Sequence, residues 1–327
     1  MRIIPALIAF LLVSSSALAQ EPSLGWPVAC AEGKNCWVVH HVDQDTSPAA
    51  QDFHCGHLTY DGHDGTDIAV RDFATMQSGL DVLAALNGKV VRVRNDIDDH
   101  HGTAADLAAA KQSKKECGNL VSILHAGKWV TEYCHMKKGS IAVAMGQTVA
   151  KGTKLGQVGQ SGLAEFPHLH FSLRHNNAVI DPFTGKGLSG CGATGEELWE
   201  HDIPYEGIKI YAAGFAGEVP NASALNLNAE QTSRIQPNSA ALVFWMALYG
   251  LEAGDKINMT VISPDGKVFV ESNETAAKQK IRYFQYAGKK NQMRLMPGEY
   301  QGTATVTRTL PDGSFLTRKA EKSLIIR

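Results

Sequence analysis

Two short stretches carry side chains that could do chemistry together. In GHDGTDIAV, residues 62–70, three residues separate His63 from Asp67, and Gly62 and Gly65 bracket the histidine. In PHLHFSL, residues 167–173, His168 and His170 stand either side of one leucine. A fifth candidate, His135, lies between them in TEYCHM. Residues two apart on a strand point to the same face, so His168 and His170 would enter one groove. The glycines suggest a bent backbone that could bring the imidazole of His63 and the carboxylate of Asp67 to one point. Each residue alone has a plainer reading: a histidine pair on an ordinary strand, an aspartate bonding turn amides, a hydrogen-bonded histidine at a sheet end.

Taken together they point elsewhere. Two neutral imidazoles and one carboxylate from this group would make a three-ligand zinc site with its fourth position open to water, the mark of a catalytic centre. Such an ion keeps a net positive charge, which acidifies water and polarises a carbonyl. The two remaining histidines could take and return protons. Cys134 beside His135 invites a cysteine–histidine pair, but strand neighbours face opposite sides, and Cys134 suits a disulfide better. No HExxH is present, so a histidine must fill the role of the glutamate base of thermolysin-like enzymes.

The elements that must hold these residues read as β-structure. GKVVRVR (88–94) is an alternating strand, and NLVSILHAGKWVTEYCHM (119–136) a hairpin around Ala126-Gly127-Lys128. GQTVAKGTKLGQVGQSG (146–162) suits short strands joined by tight turns, followed by the strand HLHFSLR and the strand-and-turn NAVIDPF. An insertion at 95–116, rich in alanine and lysine, favours a short helix or a mobile surface segment. Its Asp96, Asp98, Asp99, His100 and His101 read as a solvated loop rather than a cation site. Residues 196–210 look like a connector. From 211 to 327, short apolar runs alternate with turns such as Pro264-Asp265-Gly266 and Pro311-Asp312-Gly313, the rhythm of an immunoglobulin-like β-sandwich. The run from Ala240, AALVFWMALYGL, suits a buried strand.

The whole chain sets the compartment and excludes some partners. Its 327 residues suffice for two domains, and 44% hydrophobic with 20% charged residues describes a globular protein. A formal charge of −2 leaves no basic excess to replace phosphate counterions, which argues against a nucleic-acid partner. MRIIPALIAFLLVSSSALAQ reads as a signal peptide with cleavage near Ala19, so no stable membrane insertion is expected afterwards. Export to the periplasm, or to the medium, follows. Six cysteines in an exported chain point to disulfides. Cys30–Cys36 would close a local loop, Cys117–Cys134 the base of the hairpin, and Cys55–Cys191 is left by elimination.

GHDGTD, YCHM and PHLHFSL, in that order, resemble the HxxxD, upstream His and HxH elements of the lysostaphin-type (LytM-like) zinc metalloendopeptidases. The likeness runs from about His54 to Pro182. It implies a mainly β protein with an antiparallel β-sheet groove (a duplicated hybrid motif), with Zn2+ bound by His63, Asp67 and His170. It also implies His168 as general base and later proton donor, and His135 as the group that steadies the oxyanion and orients water. The implied substrate is a peptide bond of peptidoglycan, in a crosslink or a glycine bridge. The expected organisation is a signal peptide at 1–19, a metallopeptidase domain at 20–195 with core 54–182 and insertion 95–116, a linker at 196–210 and a C-terminal β-sandwich at 211–327. The rival readings are a silent or latent wall-binding regulator of other hydrolases, working through a protein partner of unknown identity, and a secreted protease of glycine-rich proteins.

Overall fold

A computed structural model describes residues 21–221, 228, 235–291 and 294–327. The expected signal peptide lies outside the described residues. In chain order, the first half forms β1 (Cys36–His40), β2 (Thr66–Val70), helix α1 (Phe73–Ser78), β3 (Asp81–Leu83), β4 (Gly88–Arg94) and helix α2 (Ala104–Ser113). It continues with β5 (Asn119–Leu124), β6 (Trp129–Met136), β7 (Thr148–Val149), β8 (Lys154–Gln157), β9 (His168–His175) and β10 (Ala178–Val179). One sheet runs β1-β2-β9-β6-β5-β4-β7 with β10 paired to β9, and β3 pairs with β8 apart from it. Its strand pairs are antiparallel.

Strand β9 lies between β2 and β6, and its sequence suits that place. Leu169, Phe171 and Leu173 alternate into the core with Ile68 and Val70 of β2 and Tyr133 of β6. Burial of each of these larger apolar side chains contributes about 1.5–3 kcal/mol. The same alternation turns His168 and His170 to the opposite face. The β5–β6 hairpin folds around Ala126–Lys128 as expected, with Gly127 in a left-handed conformation. All three expected disulfides are present: Cys30–Cys36, Cys55–Cys191 and Cys117–Cys134.

Strand β4 departs from the expected alternation. Val90 is buried, whereas Val91 and Val93 are both exposed, and the pairing with β5 shifts register between Val90 and Arg92. The insertion does hold a short helix, which Thr103 and Asp106 start with a reciprocal capping box. Its acidic cluster fastens it to the loop before β9. Asp99 accepts from the Gln160 and Lys138 amides at 2.7 and 3.0 Å, and His100 donates to the Gly162 carbonyl at 2.6 Å.

The second half contains β11 (Lys209–Ala216), β12 (Ala241–Leu251), β13 (Lys256–Ile262), β14 (Val268–Thr275), β15 (Lys280–Lys290), β16 (Gly298–Thr309) and β17 (Phe315–Ile326). They form two antiparallel sheets, β11-β12-β15 and β14-β13-β16-β17. Leu242, Phe244, Met246 and Leu248 of one sheet pack with Met259, Val261, Tyr300 and Ala304 of the other. Strand β12 is buried along its whole length, which explains its uninterrupted apolar sequence. Its second face carries Trp245, Ala247 and Tyr249, and Tyr249 packs with Trp37, Val39, Ala69 and Phe166 of the first half. Leu198 and Trp199, within the expected connector, are buried in the first core.

Candidate metal centre and its flanking histidines

Two glycines shape the turn before β2. Gly62 has φ +76°, a conformation that costs other residues, and it bends the chain so that His63 faces inward. Gly65 meets a different demand. A Cβ there would lie 2.6 Å from the Phe171 carbonyl oxygen and 2.7 Å from the His170 ring, so a side chain would push β9 away. With that contact permitted, β2 and β9 pair with Asp67 opposite His170 and Ala69 opposite His168.

The donor atoms of His63, Asp67 and His170 converge. His63 Nε2 lies 3.1 Å from Asp67 Oδ1 and 3.1 Å from His170 Nδ1, and the third edge, His170 Nδ1 to Asp67 Oδ1, is 2.9 Å. His63 and Asp67 are buried. His63 Nδ1 faces the His41 carbonyl at 2.7 Å, so it must carry the proton, and His63 Nε2 is left as a bare acceptor. His170 Nε2 faces Asp64 Oδ1 at 3.3 Å, which in the neutral ring favours the proton there and leaves Nδ1 bare. Three bare acceptors about 3 Å apart repel one another unless a cation lies among them, and two imidazoles with a carboxylate are a donor set that suits zinc. The demand for positive charge also acts on the side chains themselves. Burial would raise the Asp67 carboxyl, but His63, His168, His170 and His40 outweigh it and hold it well below its usual range. Burial would lower the His170 imidazole, but its bonds to Asp64 and Asp67, with their charges, push it up to about 10.

His168 and His135 stand beside this triangle. His168 Nε2 is 3.7 Å from Asp67 Oδ1, and the rings of His135 and His168 lie 4.6 Å apart. Backbone carbonyls fix both rings: His168 Nδ1 donates to Phe166 at 2.8 Å, and His135 Nδ1 to Ser161 at 2.8 Å. Each neutral ring therefore keeps Nε2 free to accept. Burial lowers His168, and burial with the nearby His168 and His170 lowers His135 well below the ordinary histidine value. His135 has φ +58°, so the chain leaves regular strand geometry there, and its amide donates to the Cys117 carbonyl at 2.8 Å. Cys134 is held in its disulfide. All five side chains singled out from the sequence meet in one place.

Residues 61–182 match the model of Peptidase family M23. Over that segment the chain is similar to peptidase family M23. The Caulobacter vibrioides cell division protein DipM is 36% identical over 110 residues, covering 31% of this chain and 18% of that protein. The Vibrio cholerae peptidoglycan DD-endopeptidase ShyA is 34% identical over 111 residues, 34% of this chain and 20% of its own length. The chain thus spans about a fifth of either relative. Among solved structures, the catalytic domain of lysostaphin from Staphylococcus simulans aligns with a TM-score of 0.26 and 23% identity, covering 37% of this chain and 76% of that one.

Around the donor triangle lie groups that the sequence reading missed. His40 Nδ1 donates to Asp67 Oδ2 at 2.7 Å. Asp64 contacts His170, Tyr60 packs its ring 4.5 Å from that of His63, and Phe166 packs 5.0 Å from His168. Asp64 and Tyr60 are close to His63 in sequence, so proximity was an available signal. For His40 there was no useful spacing. Alternation along β1 sends Cys36 and Val38 into the first core and would send His40 there too, but a register shift between Val38 and His40 turns it to the side of Asp67.

Proposed function

We propose that this chain is a zinc-dependent endopeptidase that hydrolyses peptide crosslinks of peptidoglycan. The observation that carries the reading is the convergence of the His63, Asp67 and His170 donors within 2.9–3.1 Å, with His168 and His135 alongside. The likeness to ShyA, a peptidoglycan DD-endopeptidase, supports the substrate class. His63, Asp67 and His170 would hold the ion, which when bound acidifies water and polarises a carbonyl.

The protein's own groups supply the proton handling. His168, its Nδ1 committed to the Phe166 carbonyl, presents a bare Nε2 that accepts the proton of water. Once protonated, it donates to the departing amine. His135 likewise presents Nε2 and in its neutral form accepts a hydrogen bond from water, which orients it. It steadies an oxyanion only after it has gained a proton. A silent wall-binding regulator would have no need for these five side chains to converge, which supports the enzyme reading over that rival.

We further propose 20–195 as the peptidase domain, with core 54–182 and insertion 95–116, 196–210 as the linker, and 211–327 as an immunoglobulin-like accessory domain. Among the described residues, seven strands in two antiparallel sheets support the last assignment. Three disulfides suit an oxidising compartment outside the cytoplasm, and no described helix is long and apolar enough to cross a membrane. The test pairs two variants on purified peptidoglycan. Asp67→Ala should lose zinc and hydrolysis together, while His168→Ala should keep zinc and lose about 10²–10⁴-fold in rate. Wild-type turnover by His168→Ala would sink the assignment.

A further inference from the structure

We infer that His40 and Asp64 are positioning residues for the metal centre, each locking one ligand in the state that can bind an ion. The inference rests on the reading of His63, Asp67 and His170 as the ligands. It extends to groups that neither the family match nor the five-residue set assigns a role, and His40 lies outside the matched segment 61–182.

A carboxylate that offers one oxygen to a metal must have its other oxygen held, or it rotates between binding modes. In this protein Asp67 Oδ1 faces His63 and His170, and Oδ2 accepts from His40 Nδ1 at 2.7 Å. His40 is buried and packs edge-on to Tyr60 at 5.2 Å, so it has little freedom to leave. A ligating imidazole has the complementary need: the nitrogen away from the metal must carry the proton and be anchored. Asp64 Oδ1 sits 3.3 Å from His170 Nε2 and supplies that anchor, while Arg174 donates to Asp64 Oδ2 and fixes the carboxylate from behind. His170 and Arg174 are four apart on β9 and share a face, so strand geometry itself brings Arg174 to Asp64. The third ligand is served by the backbone, since His63 Nδ1 donates to the His41 carbonyl. Each of the three ligands thus has a partner behind it, two of them at the end of β1: His40 and the residue that follows it. Outer partners of this kind usually change metal affinity by about 10–100-fold when removed.

The experiment is a zinc titration of the full-length protein against a competing chromogenic chelator, without peptidoglycan. His40→Leu and Asp64→Ala should each weaken zinc binding by about 10–100-fold. His40→Asn, whose amide nitrogen can stand near the position of Nδ1, should recover most of the affinity. His125→Asn is the control for a merely structural effect. His125 is also buried and is bonded to the Asn87 carbonyl and the Thr131 hydroxyl at 2.8 Å each, away from the triangle. It should lower thermal stability and leave zinc affinity unchanged. Wild-type affinity in both His40→Leu and Asp64→Ala, or an equal loss in His125→Asn, overturns the inference while leaving the three-ligand reading intact. A wild-type protein that binds no zinc overturns both.

Discussion

At the scale of single residues, the candidate metal centre depends on backbone carbonyls as much as on side chains. Phe166, Ser161 and His41 each take the Nδ1 proton of a histidine and so decide which nitrogen faces the site. Away from that site, Asp181 offers a separate test of how burial governs a titration. It is fully buried, accepting from the Phe183 amide and the Gln44 side chain at 2.9 Å each, and burial pushes its carboxyl up to about 6. Below the ordinary value of 3.8 it is protonated in the folded and unfolded states alike. As pH rises from there through about 6, the unfolded chain releases its proton first, so stability falls across that window by on the order of 3 kcal/mol. Asp181→Asn should flatten this slope in denaturant titrations run between pH 4 and 6. An unchanged slope would show that the group does not retain its proton in the fold.

At the scale of elements, the Cys117–Cys134 bridge ties the end of the β5–β6 hairpin beside a proton-handling residue. Cys134 precedes His135, and the Cys117 carbonyl accepts the His135 amide. Closing a loop with a sequence separation of 17 stabilises the fold by about 3 kcal/mol in the chain-entropy account. The double substitution Cys117→Ala and Cys134→Ala should therefore lower the melting temperature. It should also slow hydrolysis about 10–100-fold through a displaced His135, while zinc content stays at the wild-type level because no ligand lies on that loop. Loss of zinc in step with activity would place the effect on the triangle instead.

At the scale of the whole molecule, the C-terminal sheets are fastened to the face that carries the site. Tyr249 packs with Trp37, Val39, Ala69 and Phe166, and the Arg282 guanidinium lies 5.6 Å from the Phe166 ring centre. Lys209 donates to the Val38 carbonyl from a buried position, and Arg282 donates to the Arg71 carbonyl at 3.3 Å. Phe166 is the residue whose carbonyl orients His168, so the contact bears on the chemistry. A chain ending at residue 205 would expose these apolar side chains, each worth about 1.5–3 kcal/mol of burial. It should melt at lower temperature and hydrolyse peptidoglycan more slowly than the full protein. Equal melting and equal rate would show the C-terminal region to be an independent passenger.

The sequence by itself determined the five-residue set, the β5–β6 hairpin, the disulfide pairs and the β-rich second half. Local rules carry the hairpin and the strands, because strand residues alternate faces and a turn between two β-rich runs makes a hairpin. The Cys55–Cys191 pair, 136 residues apart, was left only by elimination, and the roles within the five-residue set came from likeness to a known family. It could not determine what stands behind the ligands. His40 reaches Asp67 only because β1 slips register by one residue, and Asp64 reaches His170 only because Gly65 lets two strands approach. The burial of Leu198 and Trp199 in the first core, and the docking of Tyr249 over Phe166, likewise join residues far apart in the chain. Such contacts depend on how whole sheets pack, and no periodicity within one segment encodes which distant side chain will fill the space behind a ligand.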